Sequence, residues 1–160
     1  MAAMDLLLIE DNPGDLVLVH EAFRASNRLV RLRVARDGVE ALDSLCRDSP
    51  RPDLILMDLN LPKMHGRDLL KRLKTDEAWK LIPTVVLSTS DAEDDVRYCY
   101  GQHATCYIKK PDQWAAFTKV VKFATDYWHL AAESKNNMSE CFPQITSADR
   151  FYFQSNEQLE

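Results

Sequence analysis

The chain has 160 residues, of which 46% are hydrophobic and 28% charged, with only 4 glycines and 7 prolines. That is one globular domain's worth of chain, and the composition excludes a disordered or fibrous protein. A net charge of -5 and a pI near 5.4 give no broad field to attract nucleic acid or an anionic membrane surface, so neither is expected as a partner.

The first apolar run, Asp5 to Ile9, reads as a strand. It is too short for a signal-peptide core or a membrane span, and a cytoplasmic location is expected. The strand ends in the acidic pair Glu10-Asp11. Asn12-Pro13-Gly14-Asp15 then reads as a turn and helix start, with Asp15 suited to the first turn of a helix reaching Ser26. Val30 to Ala35 alternates apolar and polar residues and is expected at a sheet edge. A helix over Gly38 to Asp48 follows.

Asp53 to Met57 is the third strand, closed by Asp58 and the turn Leu59-Asn60-Leu61-Pro62. Helical spacing resumes over Gly66 to Thr75. Pro83 to Leu87 forms a fourth strand, ending at Ser88-Thr89, and Ala92 to His103 a fourth helix. Ala104 to Ile108 is the last strand, ending at Lys109-Lys110-Pro111, and Asp112 to His129 the last helix. Residues 129–160 show no clear period and read as a tail without its own core. Its Phe142, Phe151, Tyr152 and Phe153 could dock on the domain or on a partner.

Five strand and helix pairs predict an α/β fold with a doubly wound parallel sheet, a (βα)5 arrangement in the order 2-1-3-4-5, with the domain over residues 1–128. Ligands of such sheets sit beyond the carboxyl ends of the strands, at the reversal of strand order. Glu10, Asp11, Asp58, Ser88 and Lys110 should therefore converge. Two carboxylates about 4 Å apart repel by about 4 kcal/mol at an effective dielectric near 20, so either protons or a cation must compensate. A hard divalent ion such as Mg2+, bound by carboxylates, water and phosphate oxygens, fits. Asp58, at the end of the central strand, is placed as a nucleophile toward a phosphoryl group, with the metal and Lys110 neutralising the transferred oxygens.

The acidic pair Glu10-Asp11, the run Met57-Asp58-Leu59-Asn60-Leu61-Pro62 with Met64 and Gly66, Ser88, and Lys110-Pro111 occur in an order that resembles the receiver domains of two-component response regulators. The resemblance runs from Asp5 to about Trp128. It implies that Asp58 is the phosphoacceptor for a sensor histidine kinase, and that Glu10, Asp11, Asp58 and the Asn60 carbonyl hold Mg2+. Lys110 would grip the phosphoryl oxygens, and Ser88 and Tyr107 would be the switch pair, Tyr107 turning inward. Such a chain is a signalling switch, with only self-phosphorylation and self-dephosphorylation as chemistry.

Ser88-Thr89-Ser90 departs from the family's more usual Thr-Ala, and the spacing to Lys110 favours Ser88 over Thr89 as the functional hydroxyl. Glu10-Asp11-Asn12-Pro13-Gly14-Asp15, Ser90-Asp91-Ala92-Glu93-Asp94-Asp95 and the aromatic last helix resemble, more narrowly, stand-alone receivers that partner bacterial phytochrome kinases.

The last helix carries two apolar stripes, Trp114, Phe117, Val121, Ala124 and Trp128, and Ala116, Val120, Phe123 and Tyr127. One stripe suffices to cover a sheet. The second, with Tyr98, Tyr100 and Tyr107, predicts a homodimer through helix four, strand five and helix five. The four cysteines lack metal-ligand spacing and read as reduced, mostly buried thiols, and the four histidines as structural. A haloacid-dehalogenase-type phosphohydrolase is an alternative, but it wants a second Asp where Asn60 stands. A flavodoxin-like binding module is another, but the acidic Glu10 to Asp15 loop would repel phosphate.

Overall fold

A computed structural model describes residues 3–47, 50–112 and 114–137. Its elements are β1 (Met4–Ile9), α1 (Pro13–Ala25), β2 (Val30–Ala35), α2 (Gly38–Arg47), β3 (Leu54–Met57), α3 (Gly66–Thr75), β4 (Thr84–Ser88), α4 (Glu93–Gly101), β5 (Cys106–Lys109) and α5 (Trp114–Asn137). All four strand pairings are parallel, in the order β2-β1-β3-β4-β5. The chain therefore reverses direction across the sheet between β1 and β3. The doubly wound arrangement expected from the alternating apolar runs is the observed one.

Period-two alternation of strand side chains sorts the core into two layers. Leu7, Ile9, Ile55, Met57 and Val86 face one way and pack against Ala41, Leu42 and Leu45 of α2, Leu69, Leu70 and Leu73 of α3, and Cys99 of α4. Met4, Leu6, Leu8, Leu54, Leu56, Val85 and Leu87 face the other way and pack against Val19, Ala22 and Phe23 of α1 and Phe117, Val121 and Ala124 of α5. Buried on both faces, β1, β3 and β4 are apolar along most of their length, and the polar Asp5, Thr84 and Ser88 sit at or near strand ends. β2, at the edge, is only partly covered.

The helix ends follow local chemistry. Pro13 opens α1 with its missing N–H at a position that needs none, and Asn12 caps it by accepting from the Asp15 N–H. His65 caps α3 through Nδ1, which accepts from the Arg67 N–H. The last helix differs from expectation. It continues beyond His129 to Asn137, because Leu130-Ala-Ala-Glu-Ser-Lys contains good helix formers and neither Gly nor Pro. The compact unit nonetheless closes at His129. Asp48, Cys141 and the tail aromatics Phe142, Phe151, Tyr152 and Phe153 lie outside the described residues. No helix among the described residues is long and apolar enough to cross a membrane.

Candidate phosphoacceptor site

Backbone pairing extends one residue past the strand ends and carries the site. The Glu10 N–H donates to Ala35 O at 3.0 Å, the Asp58 N–H to Ile9 O at 3.0 Å and the Lys110 N–H to Ser88 O at 2.7 Å. Ile9 and Met57 are in register, as are Ser88 and Lys109, so Glu10, Asp58 and Lys110 leave the sheet at one level. The ladder that positions the core thus also positions the charged rim.

At that rim Lys110 Nζ lies 2.6 Å from Glu10 Oε2, 2.7 Å from Asp58 Oδ2 and 2.7 Å from Asp15 Oδ2. The Lys110 side chain is 5% exposed, and an ammonium so far from water is tolerable only because every N–H donor meets a carboxylate. Burial alone would lower its pKa. The hydrogen bonds from Asp15, Asp58 and Glu10 outweigh burial and raise it, so the group is permanently charged. Glu10 moves up from the ordinary carboxylate range because burial outweighs the help of Lys110 and of the Asn12 N–H.

One oxygen each of Glu10, Asp11 and Asp58 lies within 4.8 Å of the others, with Asp11 exposed at the mouth and its two companions buried. Glu10, Asp58 and Asp15 share the Lys110 ammonium and Asp11 adds a further carboxylate, which leaves a surplus of negative charge among hard oxygen donors of the described residues. The residues present therefore fit a divalent cation of the Mg2+ or Mn2+ type. The Asn60 N–H donates to Asp58 Oδ1 at 3.1 Å, which folds the Asp58 to Asn60 turn back over the carboxylate. Gly66 seals that turn from below. A Cβ there would lie 2.4 Å from Leu59 Cα and 2.7 Å from Asp58 O, so only glycine admits this approach.

Of the three consecutive hydroxyls, Ser88 is fully buried at the end of β4 while Thr89 is exposed. Ser88 Oγ accepts from the Ser90 N–H at 3.3 Å. Ser90 then connects outward, its carbonyl accepting from the Tyr107 hydroxyl at 2.6 Å and its own Oγ donating to Asp95 Oδ2. Asp95 is held in turn by Arg67, which also binds Asp94 and lies 4.7 Å over the Tyr98 ring. The first turn of α4 has no side-chain cap, and its acids Glu93, Asp94 and Asp95 suit the positive end of the helix dipole instead.

Glu10, Asp11, Asp58, Asn60, Ser88 and Lys110 stand at or next to this rim, and Tyr107 is linked to it through Ser90; one reading needs extending. Asp15, read only as a helix-start residue, is a direct partner of Lys110; its spacing of four from Asp11, just after the Asn12 cap, was the available signal. The three tyrosines assigned to a partner surface also make hydrogen bonds within the chain, and Tyr98 and Tyr100 keep part of their rings exposed. Tyr107 is buried, its N–H donates to the Tyr100 hydroxyl at 3.1 Å, and the Tyr98 hydroxyl donates to Arg67 O at 3.3 Å. On α5, Phe117, Val121 and Ala124 are buried, whereas Ala116, Val120, Phe123 and Tyr127 are half-buried. Cys99 is buried, but Cys46 is exposed and Cys106 intermediate, so burial of the thiols is less general than expected.

Residues 6–122 match the family model described as the response regulator receiver domain. Over 128 residues the chain is 41% identical to response regulator Rcp1 of Synechocystis sp., covering 77% of this chain and 87% of that protein. The crystal structure of the phosphorylated cyanobacterial phytochrome response regulator RcpA superposes with a TM-score of 0.76 at 41% identity, covering 80% of this chain and 95% of that one. The Mn2+-bound form of Rcp1 gives a TM-score of 0.73 at 40% identity, covering 78% and 94%.

Proposed function

The chain belongs to the response-regulator receiver family, a family of signalling switches served by histidine kinases, and from that premise we propose that Asp58 takes the phosphoryl group of a phytochrome-type histidine kinase. The observation that carries this reading is the position of Asp58: buried, 2.7 Å from a permanently charged Lys110, and beside Glu10 and Asp11 in a set of oxygens that suits a divalent ion. The similarity to Rcp1 and RcpA supports a phytochrome-linked kinase as the donor. The acids of the other readings fit less well. A phosphohydrolase of the dehalogenase type would need a carboxylic acid where Asn60 stands, and a flavodoxin-like phosphate loop could not carry Glu10 and Asp11.

In the reaction an Asp58 carboxylate oxygen attacks phosphorus, the bond from phosphorus to the imidazole nitrogen breaks, and its electron pair stays with the leaving histidine. Mg2+ is proposed as the physiological ion, held by Asp11, Asp58 and the Asn60 carbonyl with Glu10 alongside; when bound it would neutralise the phosphoryl oxygens. Lys110 offers the phosphoryl group the donor that it gives Asp58 Oδ2 at rest. Small donors such as acetyl phosphate would serve the same chemistry, and water would reverse it.

Once phosphorylated, the Ser88 hydroxyl turns toward the new oxygens and gives up the Ser90 N–H. That loosens the Ser90 carbonyl from Tyr107 and the Ser90 hydroxyl from Asp95. The message leaves by association in the cytoplasm, and a homodimer through α4, β5 and α5 would use the half-buried α5 residues Ala116, Val120, Phe123 and Tyr127. A shift from 1:99 to 99:1 between two states takes about 5.5 kcal/mol, within the range of several charge-assisted hydrogen bonds.

Incubation with acetyl phosphate and Mg2+ should give an acid-stable, base-labile adduct that Asp58→Asn cannot form. Labelling that persists in the variant would sink the assignment. Sedimentation should show a dimer after phosphorylation that Phe123→Ala weakens; a monomer under all conditions would remove the dimer from the scheme.

A further inference from the structure

A lysine ammonium is a point charge on a flexible stem with three donors, free to turn toward whichever acceptors surround it. At this rim the three acceptors come from three places in the chain: Glu10 from the end of β1, Asp58 from the end of β3, and Asp15 from the first turn of α1. They triangulate Nζ. The contribution of each changes when a phosphoryl group arrives. Asp58 becomes an acyl phosphate whose charge of about -2 sits on the phosphoryl oxygens, so one Lys110 donor must turn from the Asp58 carboxylate to those oxygens while Glu10 and Asp15 hold the other two.

Glu10 is already divided. Its Oε1 accepts from the Asn12 N–H, and it belongs to the set of oxygens that suits the divalent ion. Asp15 is outside that set. It is held from behind, because its own N–H is fixed by the Asn12 cap at 3.1 Å, and its side chain remains 23% exposed at the edge of the rim. Asp15 is thus the one of the three carboxylates that neither accepts the phosphoryl group nor joins the candidate metal ligands.

We propose that Asp15 is a positioning residue for phosphoryl transfer: it fixes Lys110 from the α1 side so that one ammonium donor stays aimed at the phosphoryl group throughout the reaction. The inference rests on the receiver chemistry proposed above. It has a sign that a general field effect lacks. Removing a negative charge would, through the field alone, draw a phosphate dianion in and speed the reaction, whereas loss of positioning slows it.

The test uses the full chain labelled with nitrogen-15, as wild type, Asp15→Asn and Asp15→Glu. The first readout needs no phosphoryl donor: exchange of the Lys110 ammonium protons with water, followed by NMR. Asp15→Asn should exchange about tenfold faster, the order expected from losing one charged hydrogen bond. The second is phosphorylation by acetyl phosphate with Mg2+. Asp15→Asn should need about tenfold more donor for half-saturation while Mg2+ binding, measured by titration calorimetry, changes less than about threefold. Asp15→Glu, which restores the charge on a longer stem, should recover most of both effects.

Unchanged ammonium exchange, faster phosphorylation, or a loss of Mg2+ affinity as large as the loss of donor affinity would each overturn the proposal. If the wild type itself takes no phosphoryl group, the receiver chemistry fails, and the exchange measurement still reports separately whether Asp15 holds Lys110.

Discussion

Two lysines of this chain leave water in opposite ways. Lys110, at the carboxyl ends of the strands, is surrounded by Glu10, Asp15 and Asp58, and its pKa rises. Lys74, at the end of α3, donates only to carbonyls, to Ile82 O at 2.6 Å and Lys80 O at 3.3 Å, and burial drives its pKa down to about 8. The same side chain is a permanent cation in one place and a cation that titrates near pH 8 in the other. What differs is the acceptor: a carbonyl satisfies a donor, but only a carboxylate also repays the cost of removing a charge from water. The Lys74 arrangement pins the turn between α3 and β4. The Lys110 arrangement stores charge that an incoming phosphoryl group can use.

Replacing each lysine by methionine is the most direct way to break this contrast. Lys110→Met leaves buried carboxylates unpaired and should cost about 3–5 kcal/mol in urea unfolding, partly recovered by Mg2+. A cost no greater than that of Lys74→Met would show that the rim charges are not coupled as the geometry implies. Gly66→Ala comes next. The new Cβ meets backbone at 2.4 Å, and the displacement of the Asp58 turn should cost about 1–3 kcal/mol and slow phosphorylation together, since one peptide carries both.

Asp95→Asn sharpens the comparison at a third, more exposed ionic cluster. With Arg67 and Asp95 both partly exposed, about 1 kcal/mol is expected, with faster amide exchange confined to the first turn of α4. A loss as large as at Lys110 would mean that partial exposure does not weaken such pairs here.

The smallest effect is that of Lys74→Met, and it is a matter of slope. The ordinary lysine value is 10.5 and the folded value about 8, so between these pH values the folded state binds fewer protons than the unfolded chain. Stability gained from Lys74 therefore rises with pH across that window. Unfolding midpoints measured from pH 8 upward should climb in the wild type and flatten in the variant.

The elements that could be read along the chain are those in which one residue's environment repeats. The alternating runs predicted five strands, the edge position of β2 and the winding of the sheet, because burial on two faces demands continuous apolar residues. The strand ends named Glu10, Asp11, Asp58, Ser88 and Lys110, since a parallel sheet delivers its strand ends to one rim. Two features resisted. Helix α5 passes His129 because ordinary helix formers continue, with no stop signal at that point, although the apolar stripe ends. Tyr98 and Tyr100 read as contact residues, and a pattern of aromatics does not say that their hydroxyls also have hydrogen-bond partners inside the chain, Arg67 O for Tyr98 and the Tyr107 N–H for Tyr100.

Pattern and motif, then, were enough to specify the layers, the rim and the class of chemistry, all of which follow from periodicity and from residue type at strand ends. Folding alone settled that Asp15 completes the surroundings of Lys110 and that Ser90 links Ser88, Tyr107 and Asp95. Both depend on distances between segments remote in the chain, and a charged side chain takes its partner by proximity and dielectric, neither of which is encoded in local spacing.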